Sequence, residues 1–261
     1  MKKCIISFIL ILIGENIIMA EKYSLEQYKK DVIKNYCNSI GLPENYSFSN
    51  GKQVEPLPPV ETTKNGVFIV GAYPSAKFDR DGKKTIPIDN LKKPFDDEIY
   101  IKDGVKNRNK SGEELEEKYL KPLGILRNKC WITNLVKVFL FKKGHYENEL
   151  DSISERANFE QYAQKSLCWL DKEIEIAEPK IIITLGNEVA GIIGKVKGNN
   201  KRNDLLKKYE IKEITINNRK YKIIHMVHPG ILMRNNEKWS KVHNEGIERL
   251  KPKINSILKN N

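Results

Sequence analysis

Four uninterrupted apolar runs mark the chain: Val67–Val70, Cys130–Val136, Lys180–Leu185 and Lys222–His228. None alternates apolar with polar positions, as a strand with one wet face would. A continuous run suits a strand buried on both faces, the usual state in parallel sheets. Helical patterns lie around and between the runs. Ser24 caps a helix that ends at Gly41. Ser111–Glu114 reads as a capping box leading into Leu115–Leu120. Ser154–Glu178 reads as a long amphipathic helix stopped by Pro179, with shorter ones at Asn187–Ile193 and Ser240–Leu258. Ile214–Ile223 reads as a hairpin with Asn217 and Asn218 at its turn. This alternation predicts an α/β fold: a three-layer α/β/α arrangement around a central four-stranded parallel sheet. Residues 19–65 form an N-terminal helix and a connection rich in proline, and 66–261 form the α/β domain.

Composition narrows the function. With 261 residues at 30.2 kDa and a mean hydropathy of −0.54, the chain is not an integral membrane protein, residues 1–18 aside. Lys and Arg number 46 against 34 Asp and Glu, a net charge of +12. Such a charge points to a polyanion, most simply nucleic acid, or to a solvated basic surface. Cys4, Cys37, Cys130 and Cys168 form no Cys-x-x-Cys pair, so a zinc ribbon or redox motif is not expected. Reduced thiols and a cytoplasmic protein follow. Residues 1–18 join a basic start to an apolar run shorter than the ~20 residues of a spanning helix. They read either as a signal or anchor, or as sequence upstream of a true start at Met19; the second reading is preferred.

In open α/β sheets, ligands bind beyond the carboxyl ends of the strands. The four runs end in Gly71–Ser75, Asn134–Lys137, Gly186–Glu188 and His228–Gly230. Each has a plain reading: a turn, a self-satisfied Asn, a helix start, a core His. Their joint placement at all four ends marks a candidate site.

From Gly66 to Arg234 the chain resembles the uracil-DNA glycosylase superfamily. The resemblance rests on Val70–Ser75, Trp131–Lys137, Pro179–Gly186 and His228–Arg234, and the stretch from Pro179 onward is closest to the iron–sulfur type. It implies a DNA glycosylase that flips a base into a pocket and hydrolyses its N-glycosidic bond without a metal or cofactor. The base would be uracil or another deaminated base. By this resemblance Asn134 reads the O4/N3–H edge of the base, and His228 stabilises the departing anion at O2. Phe95 stacks on the base and Tyr73 walls the pocket, beside Gly71, Ala72, Pro74 and Ser75. Ile231, Leu232 and Met233 wedge the gap left by the flipped nucleotide. Lys137, Arg234 and the turns at Gly186, Asn187, Pro229 and Gly230 hold phosphates.

Two departures accompany the resemblance. The second and third places of the first motif, which in such proteins carry the Glu, Asn or Asp that positions water, hold Ala72 and Tyr73. Asp79 or Asp81 downstream can replace them. Val138 and Ser166 fall where two cluster cysteines are expected, so no iron–sulfur cluster is predicted. From Lys195 to Lys222 ten basic residues face three acidic ones, placing Lys201 and Arg202 beside the proposed DNA track. A monomer acting on DNA is the leading expectation. A catalytically inactive binder on the same fold is the first rival, and a secreted or anchored protein is the second.

Overall fold

The computed structural model describes residues 23–81, 84–102, 104–142, 155–232, 234 and 236–259. The readings placed on residues 1–18, Ser154 and Met233 lie outside the described residues, as does the side chain of Asp81.

The four apolar runs become β1 (Val67–Gly71), β6 (Cys130–Asn134), β7 (Ile181–Leu185) and β9 (Arg219–Met226), in the order β6-β1-β7-β9 and all parallel. Every residue of β1, β6 and β7 is buried, which is why these runs carry no polar alternation. Phe68 and Val70 face one core layer with α1 (Leu25–Ile40) and α4 (Phe159–Ala177). Val67 and Ile69 face the other. That second layer holds α2 (Lys110–Glu114), a π-helical turn at Leu115–Leu120, α3 (Lys121–Leu123), α6 (Asn199–Lys208), α7 (Pro229–Leu232) and α8 (Glu237–Lys259). The three layers expected from the sequence are present. The connection at residues 42–54 also packs into the first layer, through Tyr46, Phe48 and Val54.

The sheet has five strands rather than four. The fifth, β8 (Lys212–Ile216), runs antiparallel to β9 at the edge, joined by the turn at Asn217 and Asn218. Both turn residues have positive φ, 46° and 63°, as a tight hairpin of this twist requires. The expected hairpin is there, but its first arm joins the sheet. Two further hairpins follow β1: β2 (Ala76–Asp81) with β3 (Lys84–Asn90), and β4 (Ile99–Lys102) with β5 (Val105–Arg108). Their shortness, the polar positions in β2 and β5 and Pro87 in β3 hid them.

Helix ends follow local chemistry. Ser24 Oγ accepts from the Gln27 amide at 3.1 Å, and Gly41, at φ 76°, ends α1. The expected capping box at Ser111 is displaced: Asn109 caps α2 by accepting from the Ser111 amide. The long fourth helix starts at Phe159, after a 3-10 turn at Glu155–Asn158. The basic segment contains the unforeseen α6.

Lys137, expected at a phosphate, is fully buried. Its ammonium pairs with Glu173 of α4, equally buried, and donates to Thr133 Oγ1 at 2.7 Å and the Asn134 carbonyl at 2.6 Å. Glu173 also accepts from Trp131 Nε1 at 2.8 Å, from Thr133 Oγ1 at 3.1 Å and from the Tyr28 hydroxyl. A buried ion pair survives only when the remaining lone pairs and protons are satisfied, and here they are. Among the described residues no helix is long and apolar enough to cross a membrane.

Candidate active site

The parallel register sets Gly71 beside Asn134, so β1 and β6 end together. The pairing continues one step further, with Leu135 and Val136 donating to the carbonyls of Gly71 and Ala72. Next to them lie the ends of β7 and β9. Beyond these four ends opens a cleft of about 400 Å³, lined by Ala72 to Ser75, Phe78, Phe95, Asn134, Gly186, Asn187, His228, Gly230, Ile231 and Arg234 among others. Its size suits a small organic ligand.

Asn134 is buried, and its amide Nδ2 finds no acceptor in the protein. Buried amide donors are rarely left unsatisfied, so one that faces a cleft marks a place for an incoming acceptor. Gly71 makes room for this amide. A Cβ at Gly71 would lie 2.4 Å from Asn134 Oδ1 and 2.7 Å from the Phe95 ring.

Phe95 reaches the cleft from a tightly held loop. Its φ is 51°, uncommon for any residue but glycine. Asp96 accepts from the amides of Lys92 and Glu98, and Arg127 Nη2 donates to the Phe95 carbonyl at 2.9 Å. The Phe95 ring stands 6.1 Å from the His228 ring, with 37° between their planes.

His228 is fixed by its own loop. The Gly230 amide donates to His228 Nδ1 at 3.0 Å, so Nδ1 is the acceptor and Nε2 carries the ring proton. Burial, then the charges of Arg234, Arg156 and Lys142, push its pKa down to about 4. The ring is therefore neutral at pH 7 and still a donor. His225, buried and bonded to Thr184 Oγ1 at 2.7 Å, is likewise pushed down to about 4, chiefly by burial. In the unfolded chain both rings take up a proton near ~6.5. They favour the folded state at neutral pH, and that contribution is lost as pH falls from ~6.5 toward 4. His243, also held below its usual value chiefly by burial, adds to them, and Asp171, pushed up to about 6 chiefly by burial, acts in the opposite direction. NMR signals of the His225 and His228 imidazoles are expected to stay flat down to about pH 5 and to move only near 4. A His228 midpoint near ~6.5 would mean a ring in open water.

A charged cluster borders the His228 side. Arg156 pairs with Glu188, and its guanidinium lies 4.9 Å from the ring centres of both Tyr73 and Phe159. Lys142 and Arg234 complete the cationic rim. Sequence reading missed Arg156 and Lys142, and named Glu188 within a strand end without giving it a role. Glu188 had a signal, an acid two residues after the strand-ending Gly186; Arg156 had none.

The other expected site residues divide between the cleft and elsewhere. Gly71 lies against Asn134 and Phe95, and Ala72, Tyr73, Pro74 and Ser75 line the cleft. Asp79 does not line it. Its neighbour Phe78 points into the cleft, and successive side chains of a strand point to opposite faces. The amides expected at phosphates are engaged: Gly186 N donates to the Met226 carbonyl at 2.8 Å, and Gly230 N to His228. Asn187 reaches Asn203 at 3.4 Å. Pro229 and Leu232 are buried, Leu232 in the second core layer, because α7 turns its apolar side inward; Ile231 alone of the described wedge candidates lines the cleft. Arg202 is turned inward, its side chain 12% exposed, donating to the Val196 carbonyl at 3.0 Å and pairing with Glu160. It crosses Gly191, where a Cβ would lie 2.2 Å from its Nε. Lys201 is exposed on α6, and no residue of the basic segment lines the cleft. Among the described residues no group of three or more His, Cys, Asp or Glu is arranged to hold a metal ion.

Comparison with curated proteins gives no match. A family model for the uracil DNA glycosylase superfamily matches residues 58–252, a span that contains every strand end and every cleft residue named above. The chain belongs to the uracil DNA glycosylase superfamily.

Proposed function

We propose that the protein is a DNA glycosylase that hydrolyses the N-glycosidic bond of uracil or another deaminated base, leaving an abasic site. The observation that carries this reading is the buried Asn134 amide with an unmatched donor, facing the same cleft as a neutral His228. A flipped pyrimidine meets three needs there. Asn134 offers a donor and an acceptor to the O4/N3–H edge. Phe95 supplies a face for stacking. His228 Nε2–H, held by the Gly230 amide at its other nitrogen, donates to O2 as the base leaves with negative charge. Lys142, Arg156 and Arg234 at the rim suit the flanking phosphates, and Ile231 suits the opened stack.

Ala72 and Tyr73, where an acid is usual, favour a second reading: a binder that holds a flipped base without releasing it. Mass analysis of oligonucleotides carrying uracil, hypoxanthine or xanthine, single- and double-stranded, separates the two. Free base in solution supports the glycosylase. Tight binding with no free base on any substrate supports the binder.

Gly71→Ala tests the packing of the site. The added methyl must displace the Asn134 amide or the Phe95 ring. A misplacement of about 1 Å costs roughly 10²-fold, so kcat/KM is expected to drop by about that factor in a folded protein. Unchanged kcat/KM would show that neither group reads the base.

A further inference from the structure

Hydrolysis of an N-glycosidic bond makes two demands beyond holding the base. The C1′–N bond breaks and its electron pair leaves on the base, so C1′ turns cationic. A water oxygen then bonds to C1′ and gives up a proton. Both demands call for an anion near the sugar, and the first motif supplies none at Ala72 and Tyr73. Asp79 sits on the far face of β2 from the cleft-lining Phe78.

Among the described residues lining the cleft, Glu188 is the one carboxylate. It stands in the first turn of α5 (Asn187–Ile193), directly after β7. In the sheet β7 is the neighbour of β1, so Glu188 rises one strand away from Ala72. We propose that Glu188 orients the attacking water and faces the cationic sugar, so that the end of β7 supplies the acid missing from the end of β1. This rests on the glycosylase reading above.

Three observations support the assignment. The Glu188 side chain is 36% exposed, so water reaches it. Its carboxylate is held by Arg156, itself fixed over the rings of Tyr73 and Phe159. A carboxylate whose partner cannot swing is pre-aimed. Glu188 lines the cleft together with Tyr73 and Lys142. In the step as written, the water oxygen bonds to C1′ as the C1′–N bond breaks. The water proton passes to Glu188. The base departs as an anion hydrogen-bonded to His228 Nε2–H, and the proton on Glu188 then returns through solvent to the base. One water is consumed, and an abasic sugar and a neutral base are formed.

Glu188→Gln keeps the size and the hydrogen bond to Arg156 but removes the charge and the basicity. Loss of a general base costs about 10²–10⁴-fold, so kcat on uracil-containing DNA is expected to fall by at least ~10²-fold. KM and the dissociation constant for the same DNA are expected to stay within a few-fold. A residue that only anchors Arg156 would instead shift binding or melting temperature and spare kcat. If Glu188→Gln melts early, Glu188→Asp takes its place; it keeps the charge but draws back by a methylene, and its kcat is expected to fall while its affinity holds. Wild-type kcat in the variant assayed overturns the role of Glu188 and leaves the glycosylase reading intact. A wild-type protein that releases no base from any substrate overturns both.

Discussion

Replacing His228 by alanine is expected to lower kcat for base release by about 10²–10³-fold, the usual effect of deleting one pre-aimed donor from a site where negative charge develops. Two features support this large expected effect on activity. The Gly230 amide holds the Nδ1 side of the ring, which fixes the donor at Nε2. The pKa of about 4 keeps the ring uncharged, so the donor is present at neutral pH without desolvating an imidazolium in the ground state. Arg234, Arg156 and Lys142 contribute to that low value after burial. Steady-state kinetics on a uracil oligonucleotide checks the size of the effect, and a melting curve checks that the fold remains. A loss confined to KM would assign His228 to ground-state binding instead.

The second large effect concerns stability. Lys137→Met leaves Glu173 charged, fully buried and without its ion-pair partner. Breaking such a pair costs about 3–5 kcal/mol, a large share of the 5–15 kcal/mol that holds an ordinary domain together. Urea denaturation measures it. Adding Glu173→Gln removes the stranded charge while keeping one of the two oxygen acceptors that Tyr28 and Trp131 use, and is expected to restore part of the loss. The consequence reaches the cleft, because Lys137 also donates to the Asn134 carbonyl. A single variant as stable as wild type would mean that water or a local shift already compensates the charge.

Much of the frame was legible because burial on both faces leaves a plain mark. A strand such as Ile181–Leu185 has no polar position to confuse its reading, and its end fell where expected. Asn134 and His228 were legible for the same reason: each closes a buried run with a polar side chain. Other features depend on partners far along the chain. Lys137 reads as a surface cation until Glu173, on α4, is brought against it. Arg202 reads the same way until Glu160 and the glycine surface at Gly191 are seen beneath it. The two hairpins after β1 are marginal by pattern, and the place of β8 in the sheet did not follow from its hairpin signal, since edge strands and small ribbons have one face or more in water. The basic character survives, but its nearest members to the site are Lys142, Arg156 and Arg234 rather than the segment from Lys195 to Lys222.

The most direct test is alkali cleavage of an oligonucleotide with a single uracil, comparing wild type with the double variant Asn134→Ala/His228→Ala. The account predicts an alkali-labile site with wild type and only background cleavage with a double variant that melts like wild type. Cleavage by the double variant at the wild-type rate would contradict it.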